Sequence, residues 1–221
     1  MKNIMNTLIT LLLIILIPIL FSCATTQQKQ GESKDAEFYI NRGITYGEKG
    51  QHDQAISDLN KAIEIDPRVA NAYNNRGFSY WNKGQYDQAI SDFNNALKIN
   101  PRYAEAYYNR GSTYYSKGQD DQAISDYTKV LEINPRFAAA FTNRGNCYFH
   151  KGQYDQVISD SNKALEIDPT RAEAYYNRGR AYYFKREYDR SWNDINKVQE
   201  LGRKIPAEFL DNLRKASGKQ N

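Results

Sequence analysis

Two residue patterns in this sequence recur at spacings that could do chemistry. Asn41, Asn75, Asn109, Asn143 and Asn177 stand 34 residues apart, each followed by Arg-Gly. A carboxamide offers two donors and an acceptor, so a row of them can hold both the C=O and the N–H of an extended peptide. The same groups can equally bond a neighbouring segment of the chain or water, and the pattern alone leaves both uses open. Each arginine of the triplet is followed sixteen residues later by an aspartate: Arg42 and Asp58, Arg76 and Asp92, Arg110 and Asp126, Arg144 and Asp160, Arg178 and Asp194. A charge in a core position is costly unless paired. The spacing therefore predicts a bidentate guanidinium–carboxylate contact between facing helices. Its rival has the arginines clamping ligand carboxylates.

Other chemistry is thinly supplied. Two cysteines cannot make a disulfide framework, and His52 and His150 do not converge by spacing, so no metal site and no cofactor are expected. Cys147 stands where other copies of the pattern carry Thr45, Ser79, Thr113 and Ala181, the mark of a small packing residue. There is no glycine-rich phosphate loop and no nucleophile motif, and the carboxylates recur with the repeat instead of forming one special pair. No enzyme is read here. Thirty basic and 26 acidic residues leave a formal charge of +4, which argues against a cationic grip on nucleic acid.

The elements that must position these residues follow the same period. Pro67, Pro101, Pro135 and Pro169 share it, as do Gly50, Gly84, Gly118 and Gly152. The units run 36–69, 70–103, 104–137, 138–171 and 172–205. Within the third, Ala106, Tyr107, Gly111 and Tyr114 have the spacing of an amphipathic helix over 104–116. Gly118 suits a left-handed helix end, Asp121 opens a second helix, and Asn134-Pro135 stops it. Pro206 to Ala216 reads as a capping helix, with Phe209, Leu210 and Leu213 on one face.

With Tyr39, Tyr73, Tyr107, Phe141 and Tyr175 in place four, glycine in place eight and tyrosine in place eleven, the units resemble tetratricopeptide repeats. The resemblance implies an all-α, right-handed superhelical solenoid of five helix-turn-helix repeats with a C-terminal cap, residues 206–221 including the tail. It further implies that places two, five, six, nine, twelve and thirteen of each first helix face a concave groove. Beside the asparagine row this brings Asn74, Tyr108, Thr142 and Tyr176 in place five. It also brings Asn146 in place nine and Trp81, Tyr115, Phe149 and Tyr183 in place twelve. Such aromatics anchor a partner or pack successive repeats. Arg186 replaces the turn glycine in the fifth unit.

Ahead of the repeats, Lys2 is followed by an apolar run from Leu8 to Phe21, the layout of a secretory signal over 1–22. Leu20-Phe21-Ser22-Cys23 resembles the bacterial lipobox, implying acylation at Cys23; an uncleaved signal-anchor is the alternative. Ala24 after the cysteine favours the outer membrane by the same resemblance. Residues 23–35 read as a flexible tether of low hydrophobicity. The expectation is a membrane-tethered, non-catalytic scaffold binding peptide segments of cell-envelope proteins. The alternatives are a structural subunit packing through its outer face, or glycan binding on the aromatics.

Overall fold

The computed structural model describes residues 36–218; the signal segment, Cys23, the tether and residues 219–221 lie outside them. The described residues form eleven helices and no strand. They are α1 (36–48), α2 (His52–Ile65), α3 (Ala70–Asn82), α4 (Tyr86–Ile99), α5 (Ala104–Ser116) and α6 (Asp120–Ile133). After them come α7 (Ala138–His150), α8 (Tyr154–Ile167), α9 (Ala172–Phe184), α10 (Tyr188–Glu200) and α11 (Ala207–Ser217). The chain divides into two compact units, Met1–Gly84 and Gln85–Asn221. The division falls inside the second 34-residue repeat, at the turn between its helices, and not at a boundary set by the period.

The turn inside each repeat follows from local hydrogen bonding. After α5, Gly118 N–H donates to the Tyr115 carbonyl and Gln119 N–H to that of Tyr114, both at 2.9 Å, with Gly118 at φ 71°. This is the Schellman arrangement, which satisfies carbonyls that the helix end leaves open. Between repeats, the Asp66, Asn100, Asn134 and Asp168 side chains each accept the backbone N–H two residues on, across the proline. That asx turn explains why Asp/Asn-Pro ends each second helix.

Helix packing rests on small residues. Ala55, Ala72, Ala89, Ala106, Ala123, Ala140 and Ala174 are wholly buried, so backbones approach closely and the aromatics of place four close over the seams. A Cβ on Gly43 would stand 2.8 Å from Leu59 Cγ, so α1 and α2 meet at that distance only because the residue is glycine. In the first unit Ile40 and Leu59 are the buried large side chains of this seam. In the second, Tyr127 and Val130 fill the space beneath α5 and α7. There each helix packs on its successor, and the first helices also touch one another, α5 with α7 and α7 with α9. They therefore make one continuous face, and α11 packs at the end on α10.

Candidate functional site

The triplet arginines are built into the helix seams. Arg110 donates from Nε and Nη2 to the two carboxylate oxygens of Asp126 at 2.8 and 2.7 Å. Arg144 does the same to Asp160, both at 2.8 Å, and Arg178 to Asp194 at 2.8 and 2.6 Å. Arg42 meets Asp58 at 2.5 and 2.7 Å. Arg76 and Asp92 belong to different units. The third arm of each guanidinium reaches backward: Arg110 Nη1 donates to Asn94, Arg144 to Thr128, Arg178 to Asn162 and Arg76 to Asn60. Aromatic rings of place four lie over these cations, Tyr107 at 5.4 Å from Arg110 Cζ and Phe141 at 5.6 Å from that of Arg144. Arg110, Arg144 and Arg178 thus each weld their own two helices and the preceding one, and they are committed to the fold and not to a ligand carboxylate.

Burial sets the charge state of these pairs. It pushes the Asp126, Asp160 and Asp194 carboxyls above the ordinary 3.8, against the pull of their arginines. Asp58 goes the other way. Hydrogen bonds from Arg42, itself 40% exposed, hold it below 3.8.

The asparagine row is used in several ways. Asn143 donates to the Tyr108 hydroxyl at 3.0 Å, and Asn177, only 4% exposed, donates to the Thr142 carbonyl at 3.3 Å. Both bonds link place six of one repeat to place five of the one before. Asn75 donates to Asn71 on its own helix, and Asn109 is half-buried with its backbone carbonyl taken by Thr113. Asn41 is exposed on α1. Asn74 and Thr142, expected to face the groove, are 1% and 3% exposed and belong to the interior instead. Asn146, half-buried, has no hydrogen-bond partner among the described residues.

The aromatics divide between packing and surface. Tyr108 leans on Tyr127 and Phe137, at centroid distances of 5.8 and 5.1 Å. Tyr176 and Tyr183 meet Phe209 of α11 at 5.9 and 5.4 Å, so the cap covers part of both. Trp81 stacks on the exposed Phe78. Tyr115 stacks on His150 at 5.1 Å, and His150 also meets Asp120. Phe149 meets Phe184 edge-on at 5.5 Å, and Phe184 is 51% exposed and stacked on Tyr154. Place twelve of one repeat therefore meets place thirteen of the next. Cys147 is wholly buried, and burial pushes its thiol up to about 12, which suits packing and not nucleophilic chemistry.

Comparison with known proteins assigns the family. A family profile described as TPR repeat matches residues 43–84, 82–118 and 145–185. Others described as tetratricopeptide repeat match 104–137, 126–158 and 172–203. The chain belongs to the tetratricopeptide repeat family. A crystal structure of MamA is 27% identical, covers 72% of this chain and 94% of its own, and superposes with a TM-score of 0.68. YrrB, described as a TPR protein with an unusual peptide-binding site, is 24% identical over 88% of this chain and 97% of its own, with a TM-score of 0.68. Pseudomonas aeruginosa pilF is 22% identical over 85% and 86%, with a TM-score of 0.76. No curated protein sequence matches the chain.

Two features of these tetratricopeptide repeats escape a reading of the motif. Lysine in place fourteen pairs with aspartate in place eighteen of the preceding repeat: Lys83 with Asp53, Lys117 with Asp87, Lys151 with Asp121 and Lys185 with Asp155. The thirty-residue recurrence of that pair was its signal in the sequence. The second is Arg180 in place nine of α9, where the other repeats carry Ile44, Phe78, Ser112 and Asn146. Its guanidinium lies 3.7 Å from the Phe149 ring centroid and 5.4 Å from that of Tyr176.

Proposed function

We propose that the chain is a lipid-tethered, non-catalytic scaffold that takes a peptide segment of a cell-envelope protein on the face of its first helices. The observation that carries this reading is the face of α5, α7 and α9 in the second unit. The triplet arginines, Asn143 and Asn177 are consumed by the repeat seams, yet Tyr115, Asn146, Phe149, Arg180 and Phe184 remain grouped on one face with polar and aromatic surface to offer. Aromatic surface of this kind supplies contact area at small entropic cost, and an open carboxamide supplies orientation. The peptide-binding site in the description of YrrB is consistent with such a use of the fold. The lipobox-like Leu20 to Cys23 supports attachment to a membrane, and Ala24 supports the outer one.

A photo-crosslinking residue placed at Ser112 or Asn146 in living cells tests the face against the outer helices. Capture of the same envelope protein from both positions, and none from Lys129 or Lys163 on α6 and α8, is the expected result. Capture from the outer positions alone transfers the function to the other side of the stack.

A further inference from the structure

Arg180 differs from the other partly buried arginines of its unit. Arg110, Arg144 and Arg178 each hold an aspartate, Arg171 pairs with Asp168 and Arg203 with Glu173. Arg180 has no ion-pair or hydrogen-bond partner among the described residues and stands over two rings, closely over Phe149 and farther from Tyr176. The acid beside this cluster is Asp120, which lies 3.3 Å from His150 Nδ1 and acts on the Tyr115 hydroxyl in the sense opposite to Arg180. A guanidinium stacked on an aromatic face keeps its edge donors free in the ring plane, pre-set for a carboxylate. Three other groups share this face. Asn146 occupies the same place one repeat earlier, with its carboxamide unpaired. The Tyr115 hydroxyl is already within 3.4 Å of His150 Nε2, and burial raises it, with Asp120 adding to that rise and the Arg180 charge offsetting part of it. On the far side of Phe149 stands Phe184, the most exposed ring of the second unit.

We infer that this is the receptor for an acidic side chain, Asp or Glu, lying next to an apolar residue in an extended segment of a partner protein. The carboxylate sits on Arg180 with the unpaired Asn146 carboxamide as a further donor, and the apolar neighbour lies on Phe184 and Phe149. This rests on the proposed use of the first-helix face and adds to it the chemistry of the residue recognised. A positive group in an aromatic wall, with no ion-pair partner of its own among the described residues, is complementary to a negative one and repels a basic segment.

The test uses the full chain in non-ionic detergent and two fluorescent peptides, both N-acetylated and C-amidated, one of alternating Leu and Glu and one of alternating Leu and Gln. The Glu peptide should bind at least tenfold more tightly than the Gln peptide, with affinity falling as salt is raised. Arg180→Gln should bring the Glu peptide to the level of the Gln peptide, and Arg180→Lys should recover only part. Because Arg180 loses only its ring contacts, with no ion pair or hydrogen bond broken, Arg180→Gln should leave the chain folded with at most a small drop in melting temperature. Equal binding of the two peptides, no binding of either, or full affinity in Arg180→Gln overturns the inference. If crosslinks from Ser112 and Asn146 still capture a partner while the peptides show no acidic preference, the face survives as the binding site and the carboxylate receptor does not. If the Gln peptide remade with a free C-terminal carboxylate binds as tightly as the Glu peptide, the side-chain assignment is wrong.

Discussion

At the scale of single residues, the repeat is tuned by what stands opposite each glycine of place eight. Leu59 crowds Gly43 and Tyr127 crowds Gly111, whose added Cβ would stand 3.1 Å from the Tyr127 ring. In the fourth repeat the opposing residue is Ser161, buried with its hydroxyl unpaired, and a Cβ on Gly145 meets nothing nearer than Asp160 Cβ at 3.8 Å. Gly145→Ala should therefore stabilise by up to about 1 kcal/mol, the usual gain on replacing a mid-helix glycine. Gly43→Ala should destabilise by about 1–3 kcal/mol through overpacking. Thermal unfolding followed by circular dichroism checks both signs, and two shifts in the same direction would contradict this difference in packing between the two seams. The arginines allow a second test. Arg144→Leu strands the buried Asp160 and should cost about 3–5 kcal/mol, whereas adding Asp160→Leu should recover most of it. An additive double variant, with no recovery, would mean that the pair is not energetically coupled.

At the scale of helices and turns, the period carries most of the information. The spacing over 104–116 is the span of α5, while the capping helix expected over Pro206 to Ala216 runs Ala207–Ser217, with Pro206 as its N-cap outside the first turn. The second helix of the third repeat opens one residue earlier than Asp121, at Asp120, since the preceding turn ends with Gln119. Less legible was anything that depends on how one repeat stacks on the next. The backward bond from Arg76, Arg110, Arg144 and Arg178 ends on Asn60, Asn94, Thr128 and Asn162, a place whose period is visible in the sequence but whose bond to the arginine of the next repeat is not. Asn177 looks like its copies in sequence, yet a neighbouring backbone carbonyl buries it. Phe209 lies outside the period altogether, so its cover over Tyr176 and Tyr183 could not be read from it. The fifth turn shows how strongly neighbouring repeats impose geometry. Arg186 takes φ 63° with the same two backbone bonds as the glycine turns, from Arg186 N–H to Tyr183 and from Glu187 N–H to Tyr182. A non-glycine residue in that region carries about 1–2 kcal/mol of strain. Arg186→Gly should raise the midpoint of chemical unfolding of the α9–α10 pair, and an unchanged or lowered midpoint would show that the turn is unstrained.

At the scale of the whole chain, the near balance of 30 basic and 26 acidic residues conceals its organisation, because part of the charge recurs in two series set by the repeat. One is buried along the seams, as Arg144–Asp160, and one is exposed between repeats, as Lys151–Asp121. The exposed series contributes little per pair and weakens with salt. The seam series responds to acid in opposite senses at its two kinds of site. Asp58 titrates below its ordinary 3.8 in the folded chain because Arg42 holds the carboxylate. Between the two values the unfolded chain binds more protons, so that contribution is present above 3.8 and is lost as pH falls through the depressed value. Asp126, Asp160 and Asp194 are raised by burial, so just above 3.8 the folded chain binds more protons, and stability from these sites increases as pH falls. Acidification from about pH 6 toward about pH 3 should therefore loosen α1 and α2 before α5 to α10, each compared with its own protection at the higher pH. Hydrogen exchange resolved by peptide reads this directly. Loss of protection in α5–α6 ahead of α1–α2 would show that the buried carboxylates, and not the solvent-facing Arg42 pair, set the acid limit. Replacing Asp58 with Asn should abolish the pH dependence of exchange in α1 while leaving that of α7 as it was. A simultaneous change in both would mean that the chain responds to acid through its total charge and not through pairs held in individual seams.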